Sequence, residues 1–348
     1  MGAGGRGFKS RRPDGAPARL RGARVRLRVL TTVSAVAAAA APVAPPRSAL
    51  LARVAAAPIS WGVCEVPGWG HQLDAEHVLA EMASLGFTRT ELGPAGFLPS
   101  AAAERRALLD RHGLSVLGGF VPFVLHDPGR YDETRRQAVA AAEVLADAGA
   151  TFFVSCAVAD LDDWHRPELT DDQWRHLYYA VDDLQSLAAE AGLTQAFHPH
   201  VNSIVEQADE VEAVLANTTA SIALDTAHLT LGGTDPCDLV ARHLDRIALV
   251  HLKDVDAGLA RAFAAGETDF MAAVARGLFP PLGRGSVDIA ALVAELEASG
   301  RDFWYTLEQD AALADAESGT TAALACSVAA SLEYLESLAP PPAASVSQ

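Results

Sequence analysis

The 348-residue chain is short of cysteine, of basic charge and of aromatic side chains. Its four cysteines, Cys64, Cys156, Cys237 and Cys326, lie far apart and form no CxxC pair, which excludes a zinc ribbon and a thioredoxin-like redox centre. They read as reduced, buried or incidental thiols. Lys and Arg number 27 against 44 Asp and Glu, a net charge of −17. The basic residues are unevenly spread: residues 1–30 carry +8 and the remainder −25. A body this acidic excludes a nucleic-acid surface. After the first β-like run the sequence reads SWGVCEVPGWG, with neither GxGxxG nor GxxxxGK[ST], which removes the fingerprint a doubly wound nucleotide-binding sheet would carry there. Beyond the first fifty residues no run approaches ~18 uninterrupted apolar residues, so no transmembrane helix is expected.

Half of the residues are hydrophobic and 20% are charged, a globular composition with material for one large α/β barrel. Residues 1–50 stand apart, rich in Arg, Gly, Ala and Pro. Their order, basic, then apolar over 29–41, then small, follows the grammar of an export signal, but Pro13 and Asp14 break it directly after Arg11 and Arg12. Residues 1–54 are therefore read as a disordered extension and the protein as cytoplasmic. The Pro/Ala/Ser-rich residues 339–348 are expected to fray.

From 55 to 338, short β-like runs alternate eight times with helix-length amphipathic segments. The runs expected as strands are 57–63, 88–92, 115–121, 151–157, 193–198, 221–225, 247–251 and 303–307. Gly86, Gly113, Gly149, Gly192 and Gly300 each fall between a helical segment and the next run, where a left-handed residue closes a helix. Strict β-then-α order implies a parallel sheet, and eight units imply a closed (β/α)8 TIM barrel in a single domain.

In such a barrel all strands deliver their C-terminal ends to one face, where catalytic groups gather. The second run ends in Glu91 and the fifth in His198 and His200. The sixth ends in Asp225, with His228 three residues on. The seventh ends in His251, followed by Lys253 and Asp254, and the eighth in Glu308. Residues two apart on a strand face the same way, so His198 and His200 can point into the mouth together, as can His251 and Lys253. A lone Asp after a strand is more often a helix cap, and a lone His a satisfied core residue. Their coincidence at predicted strand ends, with carboxylates that repel one another unless a cation is present, points to a divalent metal site. Two carboxylates and two imidazoles, with Cys156 the only thiol at a strand end, suit Mn²⁺ or Co²⁺, with Zn²⁺, Fe²⁺ or Mg²⁺ as alternatives.

The segments LDTAH (224–228), VHLKD (250–254) and LEQD (307–310) resemble the xylose-isomerase-like family of sugar isomerases, epimerases and dehydratases, over about residues 57–336. The resemblance implies that Asp225, His251 and Glu308 bind a divalent metal and that His228 contacts substrate. Where the family generally has a Glu ending strand five, this chain reads HPH, so His198 or His200 is left to supply the fourth ligand. Within the family, APISWGVCEVPGWG (57–70), TELGPAGFLP (90–99), HPHVNSIVE (198–206) and FPPLGRGSVD (279–288) resemble the inosose dehydratase group, which usually has Gly-Thr in place of Asn202 and Ser203.

The activity so implied is dehydration of a keto-inositol in myo-inositol catabolism, 2-keto-myo-inositol giving a trihydroxycyclohexane-dione and water. A proton next to a metal-polarised ketone is removed, and the enediolate expels the β-hydroxyl. An isomerase or epimerase acting on another ketose shares the first half of that path. Acid–base candidates are His200, His228, Lys253, Glu308 and Glu206. Expected substrate contacts are Trp61, Glu91, His228 and Asn202. The plainer roles are an ion pair between Lys253 and Asp254, and a first-turn position for Glu206. A sugar-binding module without catalysis has no need of Asp225, His228, His251 and Glu308 together, and a DNA-repair endonuclease on this barrel would want a basic groove. The expected partner is a small polyol, with no nucleic acid and no membrane; a homo-oligomer is compatible with the sequence.

Overall fold

The computed structural model describes residues 48–339, except 65, 67, 163 and 315–317. The expected extension up to residue 47 and the tail from residue 340 lie outside the described residues. Each predicted β-then-α unit becomes one strand and at least one helix. In chain order they are β1 (Val54–Ala56), α1 (Ala75–Ser84), β2 (Arg89–Glu91), α2 (Ala102–Arg111), β3 (Ser115–Phe123), α3 (Tyr131–Asp147), β4 (Phe152–Ala157), α4 (Asp171–Glu190), β5 (Thr194–Phe197) and α5 (Ala208–Asn217). There follow β6 (Ile222–Asp225), α6 (Thr226–Leu231), α7 (Pro236–His243), β7 (Ile247–Leu252), α8 (Ala257–Ala264), α9 (Phe270–Ala275), α10 (Ile289–Ala298), β8 (Tyr305–Leu307) and α11 (Ser318–Leu338). Neighbouring strands pair in parallel, and β1 closes on β8 with Val54 opposite Tyr305, giving a TIM barrel. Among the described residues no helix is long and apolar enough to cross a membrane.

Two corrections to the sequence reading concern local chemistry. The first strand is Val54–Ala56, not 57–63. Pro58 cannot donate to a sheet ladder, and Pro58–Trp61 winds instead into a 3₁₀ turn closed by Gly62 at φ 77°. Leu50 and Leu51, ahead of that strand, are already in the core. The stretch expected as a long loop after β7 contains α8 and α9, each capped by an aspartate, Asp256 and Asp269. The five glycines expected to end helices all take left-handed φ values, between 65° and 81°.

Side chains alternate between two cores. Ala55, Leu117, Val154, Ala196, Ala223 and Leu249 fill the inside of the barrel. The opposite faces of the strands, including Phe153, Phe197, Leu224 and Val250, pack against the helices. In α4 the helical logic is clearest. Thr170 and Gln173 form a capping box, Asp171 and Asp172 sit in the first turn, and Leu177, Val181, Leu184 and Ala188 make one buried stripe. Leu184 is fully buried. Leu184→Ala is expected to lower unfolding stability by about 2–5 kcal/mol, read as a shifted urea midpoint with an unchanged slope.

Candidate active site

The site is the top layer of the barrel's inner core. His198, Asp225 and His251 each lie two residues beyond an inward-facing core residue, namely Ala196, Ala223 and Leu249. With a side-chain period of two, the same face that carries the apolar interior delivers these three groups to the mouth. All three are buried. Above the barrel they open into a cavity of about 860 Å³, which is the size of a small-molecule site.

Asp225 does two jobs with two oxygens. Oδ1 accepts the backbone N–H groups of Ala227 (2.8 Å) and His228 (2.9 Å), which caps α6. Oδ2 accepts no hydrogen bond, although its atom is buried. It faces His198 Nε2 at 3.7 Å, His251 Nδ1 at 3.9 Å and Lys253 Nζ at 3.5 Å. His251 Nδ1 is also 3.4 Å from Glu308 Oε2 and is itself without a hydrogen bond. On the far side of that ring, Nε2 lies 2.9 Å from Glu91 Oε1, off the line of a good hydrogen bond, and Thr306 Oγ1 donates to the same oxygen at 3.1 Å. Glu91 thus turns the His251 ring so that Nδ1 looks toward Asp225 and Glu308. Two ligands about 2.1 Å from one ion stand about 3.0–3.5 Å apart. The spacings here are slightly wider, and with the buried atoms left without partners they form two groups that could hold a cation, His198–Asp225–His251 and Glu91–His251–Glu308, which share His251.

The charges of the cluster also answer one another. Lys253 Nζ is buried 2.8 Å from Asp310 Oδ1, 2.9 Å from Glu308 Oε2 and 3.2 Å from His228 Nε2. Burial alone would lower the lysine, but Asp225, Asp310 and Glu308 hold it well above its usual range. His251 is likewise pushed down by burial and carried well above the ordinary value by Glu308 and Glu91. Burial raises Asp225 and Glu308, yet Lys253 and the histidines win and hold both carboxylates below the usual range. Asp310, pushed up by burial and by Glu308, sits at about 6. Desolvation, together with neighbouring histidines and Lys253, keeps His228 well below its usual value and lowers His200 to about 3.

The other predicted site residues divide. His200 and His228 stack with ring centroids 3.7 Å apart beside the cluster. His200 Nδ1 is 2.7 Å from the Val201 carbonyl, so that nitrogen carries the proton. Asn202 lines the cavity at φ 62°, a left-handed conformation that Asn tolerates and Gly adopts freely. That is how an asparagine can occupy a position whose backbone favours glycine. Trp61 is not a cavity residue: it is fully buried and donates to Glu81 Oε2 at 2.6 Å, because the 3₁₀ turn aims it into the core. Trp69 lines the cavity instead. Glu206 turns away from the cavity. Its carboxylate accepts the Asn202 N–H at 2.7 Å and lies 3.4 Å from Arg166, bracing the loop that carries His200. Lys253 does not pair with Asp254, which instead accepts backbone N–H groups from Val255, Gly283, Gly285 and Val287 and so anchors the 279–288 loop. Asp310 was missed by the sequence reading. Its signal was present, since it follows Glu308 by two residues, the spacing that paired His198 with His200.

The comparisons fit this geometry. The sequence model of a family described as Xylose isomerase-like TIM barrel matches residues 79–335. The chain belongs to that family. Inosose dehydratase of Geobacillus kaustophilus is 31% identical over 276 residues, covering 75% of this chain and 89% of its own. The rhizopine catabolism protein MocC of Rhizobium meliloti is 31% identical over 267 residues, 74% of this chain and 81% of its own. A solved structure of IolI protein with a binding zinc atom superimposes with a TM-score of 0.60 at 12% identity, over 82% of this chain and 96% of that one, a likeness of fold alone. The chain is an enzyme.

Two outcomes follow from the geometry. His198→Ala is expected to weaken Mn²⁺ binding at least tenfold by titration calorimetry, while His200→Ala leaves it within about threefold. The depressed carboxylates Asp225 and Glu308 contribute stability above the unfolded carboxylate range, and lose it as pH falls through their lowered values. Chelator-treated protein should therefore melt at progressively lower temperature below about pH 4.

Proposed function

We propose that this enzyme dehydrates a keto-inositol, 2-keto-myo-inositol or a close relative, to a cyclohexane-dione and water. The observation that carries the reading is the buried group His198–Asp225–His251, with Glu308 beside His251 and Lys253, in a chain 31% identical to a named inosose dehydratase. A divalent cation held by those four residues would supply Lewis-acid polarisation of the ketone; the oxygen and nitrogen donors suit Mn²⁺ or Co²⁺.

The protein's own groups supply the proton steps. Glu308, kept ionised by Lys253 and His251, takes the proton from the carbon beside the ketone. Lys253, kept protonated, donates a hydrogen bond to the oxygen on which negative charge develops. His228 and His200, kept neutral, stand beside Lys253 and hydrogen-bond the β-hydroxyl; the proton that Glu308 has taken passes to that hydroxyl as it leaves as water, which restores the carboxylate. Glu91 holds the His251 ring, and the loop braced by Arg166 and Glu206 holds His200.

Incubation with 2-keto-myo-inositol and added Mn²⁺ or Co²⁺ is expected to raise the ultraviolet absorbance of a conjugated enol-dione. Glu308→Gln should lower kcat by about 10²-fold or more with the circular dichroism spectrum unchanged. Recovery of an epimer or an isomeric ketose, with no new absorbance, would contradict the dehydratase reading.

A further inference from the structure

Among the buried carboxylates at the barrel mouth, Asp310 differs from the rest. Asp225 caps α6 through Oδ1, and Asp254 holds the 279–288 loop. Glu91 faces the His251 ring and accepts from Thr306, and with His251 and Glu308 it forms one of the two groups that could take a cation. Asp310 belongs to neither group. It is only 8% exposed, yet its carboxylate accepts no backbone N–H among the described residues.

Its own segment is fastened without that carboxylate. Ser60 Oγ accepts the Gln309 N–H at 2.9 Å, the Ile59 carbonyl accepts the Ala311 N–H at 3.3 Å, and the Trp69 indole donates to the Ala311 carbonyl at 2.7 Å. With both flanking residues held, Asp310 is fixed in the wall of the cavity, which it lines. Oδ1 lies 2.8 Å from Lys253 Nζ, off the line of a hydrogen bond, and is buried without one. Lys253 is shared. Its Nζ also stands 2.9 Å from Glu308 Oε2, 3.2 Å from His228 Nε2 and 3.5 Å from Asp225 Oδ2, which makes four neighbours for an ammonium with three hydrogens. A desolvated carboxylate oxygen without a donor is costly, and the cavity is the side from which a donor can reach it.

An ammonium and a carboxylate side by side offer one donor and one acceptor. Because they are adjacent, the oxygens they bind lie on neighbouring carbons of a ring. A hydroxyl can give its hydrogen to the carboxylate, whereas a ketone oxygen only accepts. The pair therefore tells apart the two kinds of oxygen that a keto-polyol carries.

We infer that Asp310 is a specificity-determining residue. Its carboxylate accepts the O–H of the ring hydroxyl vicinal to the oxygen that Lys253 holds, and so sets which way round the ring sits. A ring turned so that its ketone meets Asp310 sets two acceptors against each other. This rests on the keto-cyclitol reading and names the residue that orients the ring within it.

Titration calorimetry of the full-length, Mn²⁺-supplemented protein with myo-inositol and its monodeoxy derivatives tests this without turnover. In the wild type at least one deoxy-inositol is expected to bind about ten times more weakly than myo-inositol, the loss of one hydrogen bond to a charged group. Asp310→Ala should bring that same ratio to about threefold or less, and the isosteric Asp310→Asn should narrow it as well. A ratio unchanged in both variants overturns the inference. So does an equal loss of affinity for every inositol, which is what a purely structural residue would give. Dehydration of 2-keto-myo-inositol is followed separately. A narrowed ratio without dehydration would sink the dehydratase assignment and leave the role of Asp310 standing, and dehydration with an unchanged ratio would do the reverse.

Discussion

Four carboxylates, Glu91, Asp225, Glu308 and Asp310, are buried around Lys253 and His251 at the mouth of the barrel. Negative charge in such density is tolerated only where positive charge answers it. Lys253 answers part of it, and a divalent cation, with His251 as a neutral ligand, would answer the rest. This balance explains the burial of an ammonium group, the depressed Asp225 and Glu308, and the raised Asp310 in one account. It also explains why hydrogen-bonding atoms of Asp225 and His251 stay unpaired in an otherwise close-packed interior.

Around that centre the acidic residues divide into those that face the Lys253–His251 pair and those that hold backbone. Asp225 belongs to both groups, one oxygen to each. Asp254, one residue beyond Lys253, spends both oxygens on the N–H groups of the 279–288 loop, and Gly285 comes so close that a Cβ there would lie 2.2 Å from Asp254 Oδ1. Glu206 and Arg166 do the same service for the loop after β5. The reactive groups therefore stand on strand ends, while loop carboxylates keep the surrounding walls in place, an arrangement that preorganises the site.

Much of this was legible in the residues because strand ends leave a strong mark. A buried run that stops at His or Asp announces its own C-terminus, so the eight units, and the strand-end places of Asp225, His251 and Glu308, could be read without coordinates. β1 was harder to place. It lies in an alanine-rich stretch with almost no contrast between strand and loop, and the following PISW segment looked more strand-like than the three residues that pair. Trp61 and Trp69 are equivalent on paper, both beside glycines in a mouth segment, and only the direction of a 3₁₀ turn separates core from cavity. That His198, and not His200, stands grouped with Asp225 and His251 likewise depended on geometry. Strand pairing ends at Phe197, so His200 lies past the regular pleat, where the period of two no longer fixes its direction.

The most direct test of the charge-balance account is pulsed electron paramagnetic resonance of the protein loaded with one equivalent of Mn²⁺. The account predicts hyperfine coupling to two imidazole nitrogens, from His198 and His251, with one coupling lost in His198→Ala. An ion that shows no nitrogen coupling, or a protein that retains no Mn²⁺ at all, would contradict it.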